Sequence, residues 1–166
     1  MPSKGKDQKT PAQRADDRAL RDLKSAHPAE YDKIRKQHAD KPFFLYFNHS
    51  LMHFPILPRA AFKGASGQGE WADCLLQLDA DFGTLLDALK ELGIEGDTIV
   101  VLSGDNGPEE MEPWRGHPGF FDGSYFTGME GSLRTPCLVR YPGKVPGGAQ
   151  SNEIVHIADM FTTLLR

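Results

Sequence analysis

Thr98-Ile99-Val100-Val101-Leu102-Ser103-Gly104-Asp105-Asn106-Gly107-Pro108-Glu109 is the stretch that decides the fold. A β-branched run that reads as a buried strand breaks into a carboxylate, a carboxamide and a Gly-Pro turn, so two oxygen donors stand at a strand's carboxyl end. In open α/β sheets, ligands bind at that edge.

Immediately upstream, Trp71, Leu75, Leu78, Phe82, Leu85, Leu89 and Leu92 recur at steps of four and three and predict an amphipathic helix that Gly93 stops. Gly83 inside it costs about 1 kcal/mol relative to Ala, which predicts close backbone packing there. Asp73, Asp79, Asp81 and Asp87 read as the polar face, with Asp79 beside the apolar stripe the one to expect buried. Before the helix, Pro42-Phe43-Phe44-Leu45-Tyr46-Phe47-Asn48 reads as another strand, with Pro at its first position where the missing donor is tolerated. A strand, a long helix and a strand make a right-handed crossover, which predicts that 42–48 and 98–103 run parallel with their carboxyl ends on one edge. His49 and His53 follow the first of these strands.

The remaining elements are shorter. Residues 107–132 hold six glycines and three prolines and read as one long functional loop. Pro136 to Pro142 reads as a third strand, and the segment from Ile154 to Leu164 as strand end plus helix. Residues 1–14 read as a mobile polar tail and 15–40 as a helical lead-in. The fold class is therefore α/β, a mainly parallel sheet with flanking helices.

The 166 residues suit one ordinary domain, and 39% of them are hydrophobic. Net charge is -4, but residues 1–41 are basic while residues 42–166 carry 8 Lys/Arg against 16 Asp/Glu. Such an acidic body argues against a nucleic-acid surface and agrees with a cation site. No apolar run reaches membrane-spanning length. Cys74 and Cys137 have no metal-ligand spacing and read as core thiols.

Three groups of residues can carry chemistry. Asp105 and Asn106 offer carboxylate and amide oxygens that suit a hard divalent cation, although Asp-Asn-Gly is also ordinary turn sequence. His53, or His49, could contact an anionic ester or protonate a leaving oxygen, although a lone loop histidine is more often a surface residue. The glycine-rich loop supplies Arg115, His117, Tyr125, Glu130 and Arg134. Arginine suits oxyanions, yet Glu130 and Arg134 could simply pair with each other.

Taken in order, the run from Pro42 to Phe47 with His53-Phe54-Pro55, Leu78-Asp79 with Gly83 and Leu89, Thr98 to Gly107, Glu130-Gly131-Ser132-Leu133-Arg134-Thr135-Pro136, Arg140-Tyr141-Pro142-Gly143, and His156 with Asp159 resemble the type I sulfatases, the arylsulfatase family. The likeness covers about residues 40 to 166. It implies an alkaline-phosphatase-like fold and a sulfuric ester hydrolase. It also implies that Asp105 and Asn106 bind a divalent cation, calcium in preference to magnesium, and that His53 contacts the sulfate. The implied substrate is a sulfate-ester small molecule or a sulfated glycan. The implied compartment is periplasmic, secreted or lysosomal.

The sequence departs from that pattern in two ways. The family lysine five residues before the Glu-Gly pair is Tyr125 here, so Arg115, His117 or the tyrosine hydroxyl would bind sulfate instead. No Cys/Ser-x-Pro-x-Arg motif, the source of the family's formylglycine nucleophile, occurs anywhere in the chain, and the family's two N-terminal metal aspartates have no counterpart. Residues 41–166 are therefore expected to be the later, incomplete part of a sulfatase catalytic domain, inactive alone. The alternatives are a phosphodiesterase or phosphonate hydrolase of the same superfamily, and a non-catalytic interaction module.

Overall fold

Helix α1, Glu70–Glu91, organises the computed structural model, which describes residues 42–165. The tail and the lead-in helices expected over 1–40 lie outside the described residues. Glu70 and Asp73 in the first turn of α1 and Lys90 in the last complement its dipole. Gly93 follows at a positive φ of 70°, where a side chain would be strained.

The carboxyl-terminal half of the helix does what its periodicity predicts. Leu89 is buried and packs with Val100 of strand β1 (Val100–Ser103), and Phe82, Leu85 and Leu92 close around them. Phe43 and Leu45 pack on the same cluster, while Phe44 between them and Tyr46 after them are exposed. That alternation is strand-like, but residues 42–48 form no ladder among the described residues.

The amino-terminal half differs. Leu75 is exposed there, and Asp73, Cys74 and Gln77 are buried on a face that continues along the helix through Asp81, Thr84 and Ala88. At 100° per residue this face lies about a quarter turn from the apolar stripe. The loop ahead of the helix covers that side with backbone and side-chain donors, so carboxylates can go inside. Asp79 is exposed, contrary to the expectation that it would be the buried acid. Gly83 also differs from expectation: a Cβ there would meet nothing within 4 Å.

A short 3-10 turn, Glu95–Asp97, leads into β1. After β1 come the hairpin strands β2 (Glu110–Met111) and β3 (Trp114–Arg115), the short helix α2 (Glu130–Leu133), strand β4 (Cys137–Arg140) and helix α3 (Ile157–Leu164). β1 pairs with β4 in antiparallel register, from Val100 opposite Arg140 to Ser103 opposite Cys137. The sheet that forms is therefore antiparallel, and the parallel pairing expected of 42–48 with 98–103 is not made among the described residues. β1 meets a strand returning through the glycine-rich loop, whereas Phe43 and Leu45 of 42–48 pack on the core with their side chains. The β2–β3 hairpin is an element that the density of Gly and Pro concealed. At α3, His156 Nδ1 accepts from the Ala158 N–H at 3.2 Å and Asp159 accepts from the His156 N–H at 2.8 Å, a reciprocal cap. No described helix is long and apolar enough to cross a membrane.

Candidate functional site

The Asp105–Gly107 turn leaves the carboxyl end of β1 and is fixed from behind. Gly104 N–H donates to the Pro136 carbonyl at 3.3 Å, and Gly107 N–H donates to the Ser132 carbonyl at 2.7 Å. Gly107 and Gly131 approach so closely that a Cβ on Gly107 would lie 1.8 Å from the Gly131 carbonyl oxygen. Gly131 is itself pressed on Gly123, whose carbonyl would lie 2.1 Å from its Cβ. Two motifs separated in sequence thus form one glycine-on-glycine corner.

Within the turn, Asp105 Oδ1 accepts from the Asn106 N–H at 2.9 Å, and Asn106 Nδ2 donates to the Gly107 carbonyl at 2.9 Å. The second bond fixes the amide so that its oxygen is the group left for a ligand. Asp105 is exposed, Asn106 half-buried. Glu109, just past the turn, holds a buried carboxylate oxygen with no hydrogen-bond partner among the described residues. Yet among the described residues no three His, Cys, Asp or Glu side chains converge as a metal cage. Two donors fall short of the six to eight oxygens calcium takes, so these residues do not by themselves fit a bound cation.

His53 is exposed, and its Nδ1 donates to the Phe54 carbonyl at 2.8 Å. That bond keeps a proton on Nδ1 and makes Nε2 the nitrogen that can meet a ligand. Phe54 stacks on Trp114 at 5.7 Å, which sets the His53 loop beside the β2–β3 hairpin. Trp114 is anchored in turn by Nε1 donating to Glu70 Oε2 at 2.6 Å, at the start of α1.

The other sequence candidates divide. Tyr125 is half-buried, and its N–H donates to the Pro108 carbonyl at 3.0 Å, so it is tied directly to the Asp105 turn. His117 Nδ1 accepts from the Gly119 N–H at 2.9 Å, which puts the ring proton on Nε2 as a donor suited to an anion. Arg115 lies between Glu110 and Glu112, 3.8 and 3.7 Å away, so its charge is already shared with two acids. Glu130 and Arg134 do pair with each other, and the Arg134 guanidinium also lies over the Phe121 ring.

Sequence reasoning missed a second polar centre on α1. Asp81 Oδ2 accepts from His49 Nε2 at 3.0 Å, and its Oδ1 accepts from Arg59 Nη2. Burial disfavours the charged Asp81 carboxylate, but the His49 hydrogen bond and the nearby Arg59 charge outweigh it and hold its pKa below the ordinary value. One turn earlier Gln77 Oε1 accepts from the Arg59 N–H at 2.8 Å. Asp73 accepts from the Ser66 hydroxyl and the Ser66 and Gly64 N–H groups, which lower its pKa too. The signal was present as polar residues at 73, 77, 81 and 84, spaced for one helix face.

The geometry of the turn alone does not name a family; comparison with known proteins does. The sulfatase family model matches residues 20–166, and the chain belongs to the sulfatase family. It is 37% identical over 129 residues to arylsulfatase A of Bos taurus, covering 77% of this chain and 25% of that protein. Over 135 residues it is 33% identical to N-acetylgalactosamine-6-sulfatase of Canis lupus familiaris, covering 79% and 26%. A solved structure concerned with glycosaminoglycan metabolism by Bacteroides thetaiotaomicron superposes with a TM-score of 0.63 at 30% identity, over 71% of this chain and 26% of that one. Ps i-CgsB in complex with k-i-k-neocarrahexaose superposes at 0.65 and 23% identity, over 80% and 29%, a likeness of fold. The chain thus spans about a quarter of the length of the curated relatives it matches.

Proposed function

We propose that this chain supplies the later part of a sulfuric ester hydrolase site, with the Asp105-Asn106 turn and His53 at its sulfate-binding edge. The observation that carries the reading is the Gly107–Gly131 contact, which joins the Asp-Asn turn to the Glu-Gly segment in a chain of the sulfatase family. Asp105 and Asn106 would be two ligands of a divalent cation, calcium before magnesium, with the rest of the ligands and the formylglycine nucleophile supplied by polypeptide outside residues 1–166.

In this reading His53 acts as the imidazolium, with Nδ1–H held by the Phe54 carbonyl and Nε2–H contacting a sulfate oxygen or passing its proton to the leaving oxygen, since charge develops on both as the sulfur–oxygen bond breaks. His117 Nε2–H and the Tyr125 hydroxyl are further donors to the sulfate, in place of the lysine absent here. The substrate class is a sulfate ester, with sulfated glycans favoured by the names of the relatives. The cellular setting would be periplasmic, secreted or lysosomal.

The test is hydrolysis of a chromogenic aryl sulfate. Residues 1–166 alone are expected to be inactive, and the same residues fused behind the formylglycine-bearing segment of a sulfatase relative are expected to hydrolyse it, with loss on His53→Ala and Asp105→Ala. Robust turnover by the isolated chain would overturn the divided site, and preference of the fusion for phosphate diesters would overturn the sulfatase reading.

A further inference from the structure

We infer that Asp81 is a positioning residue for His53: one buried carboxylate on α1 ties together both ends of the loop that presents the histidine. The role of His53 rests on the function proposed above, whereas the tie itself rests on geometry. Residues 49–59 contain neither helix nor strand, so no ladder holds them. Their first residue, His49, donates through Nε2 to Asp81 Oδ2 at 3.0 Å, and their last, Arg59, donates through Nη2 to Oδ1. Each carboxylate oxygen serves a different end of the loop.

The neighbouring contacts reinforce this closure. His49 Nδ1 accepts from the Leu51 N–H at 3.2 Å, which fixes the tautomer that can donate to Asp81. Arg59 is held a second time through its backbone N–H to Gln77. Between the two anchors Met52 takes a positive φ of 71°, a conformation an unbranched side chain keeps only when its surroundings impose it. Ile56 is buried at 2% exposure, so the middle of the loop is seated as well. His53 lies between Met52 and Ile56, and its placement follows from the ends.

An aspartate is required for this task. An asparagine has one acceptor oxygen, and its amide nitrogen would face a donor, so Asp81→Asn releases one anchor while keeping size and shape. Asp73 provides the internal control, because it ties residues 64–66 to the same helix without touching the His53 loop.

Hydrogen exchange on the 166-residue chain tests the tie. Amides within 49–59 should exchange about tenfold faster in Asp81→Asn and stay unchanged in Asp73→Ala. His49→Ala should reproduce the effect and His49→Gln, which keeps a donor, should reverse most of it, so the inference remains testable if Asp81 variants fail to fold. In the hydrolytic fusion, Asp81→Asn should lower kcat by about 10²-fold with little change in KM, because a loop misplaced by an ångström misaligns its histidine. Unchanged exchange over 49–59 in a folded Asp81→Asn or His49→Ala chain overturns the inference, as does an equal loss of kcat in Asp73→Ala. If exchange responds as expected but the unmodified fusion hydrolyses no sulfate ester, the tie stands and the sulfatase reading falls.

Discussion

Gly107 and Gly131 meet backbone to backbone, with the Gly131 carbonyl oxygen 1.8 Å from where a Cβ on Gly107 would stand. A methyl group on Gly107 must push the Asp105 turn away from α2, and one on Gly131 must push α2 away from the Asp122–Gly123 backbone; neither obstacle is a flexible side chain. Gly107→Ala and Gly131→Ala should each destabilise the fold by about 3 kcal/mol, the upper range for overpacking. Gly83→Ala, with open space and a helical backbone, should stabilise by about 1 kcal/mol. Urea denaturation of the three variants checks the contrast, and a neutral Gly107→Ala would show that the corner does not form.

Acid should loosen the loop that covers α1. The carboxyls of Asp73 and Asp81 both have folded-state pKa values below their ordinary ones, Asp73 through bonds from Ser66 and Gly64, Asp81 because His49 and Arg59 outweigh the opposing effect of burial. A depressed carboxylate adds stability that is complete above its unfolded value of about 4 and is lost as pH falls through the folded value. Thermal unfolding followed by circular dichroism should show Tm falling below about pH 4. Asp73→Asn and Asp81→Asn should lower Tm at pH 7 and flatten that acid limb. An unchanged slope in both variants would count against the charged ties.

The two thiols should differ sharply in reactivity. Cys74 is buried at 0% exposure, and burial first, then the charges of Asp73 and Glu70, push its pKa up, whereas Cys137 is exposed at the sheet edge. The sequence alone had both as core thiols. Titration with a thiol-reactive dye at pH 8 should label Cys137 in the native chain and Cys74 only on unfolding. Rapid labelling of both sites would contradict the packing of α1 against its covering loop.

Calcium should bind the isolated chain weakly. Asp105 and Asn106 offer two donors, and no three metal-ligating side chains converge among the described residues. Calorimetric titration should find no affinity tighter than about 10⁻⁴ M. Submicromolar binding lost on Asp105→Ala would mean that the turn finds its missing oxygens in this chain or in a second copy of it.

Much of the local structure was legible because it depends on neighbours along the chain. Steps of four and three from Trp71 to Leu92 located α1 within a residue, and the β-branched run before Asp105 located β1. Pro136 and Pro142 bracketed β4 for the same reason: proline removes a ladder donor. The order of motifs also carried the family, since each motif is a short segment with its own turn chemistry.

What the sequence by itself determined, then, was helix α1, strands β1 and β4, the donor turn at the end of β1 and the likeness to sulfatases. Tertiary structure alone decided that β1 pairs antiparallel with β4 and that Asp81 rather than Asp79 is buried. It also decided that Gly107 rests on Gly131 and that His49 and Arg59 share one carboxylate. Periodicity says which side chains share a face. Only the packed chain decides which face is covered, because a buried carboxylate needs donors from residues distant in sequence.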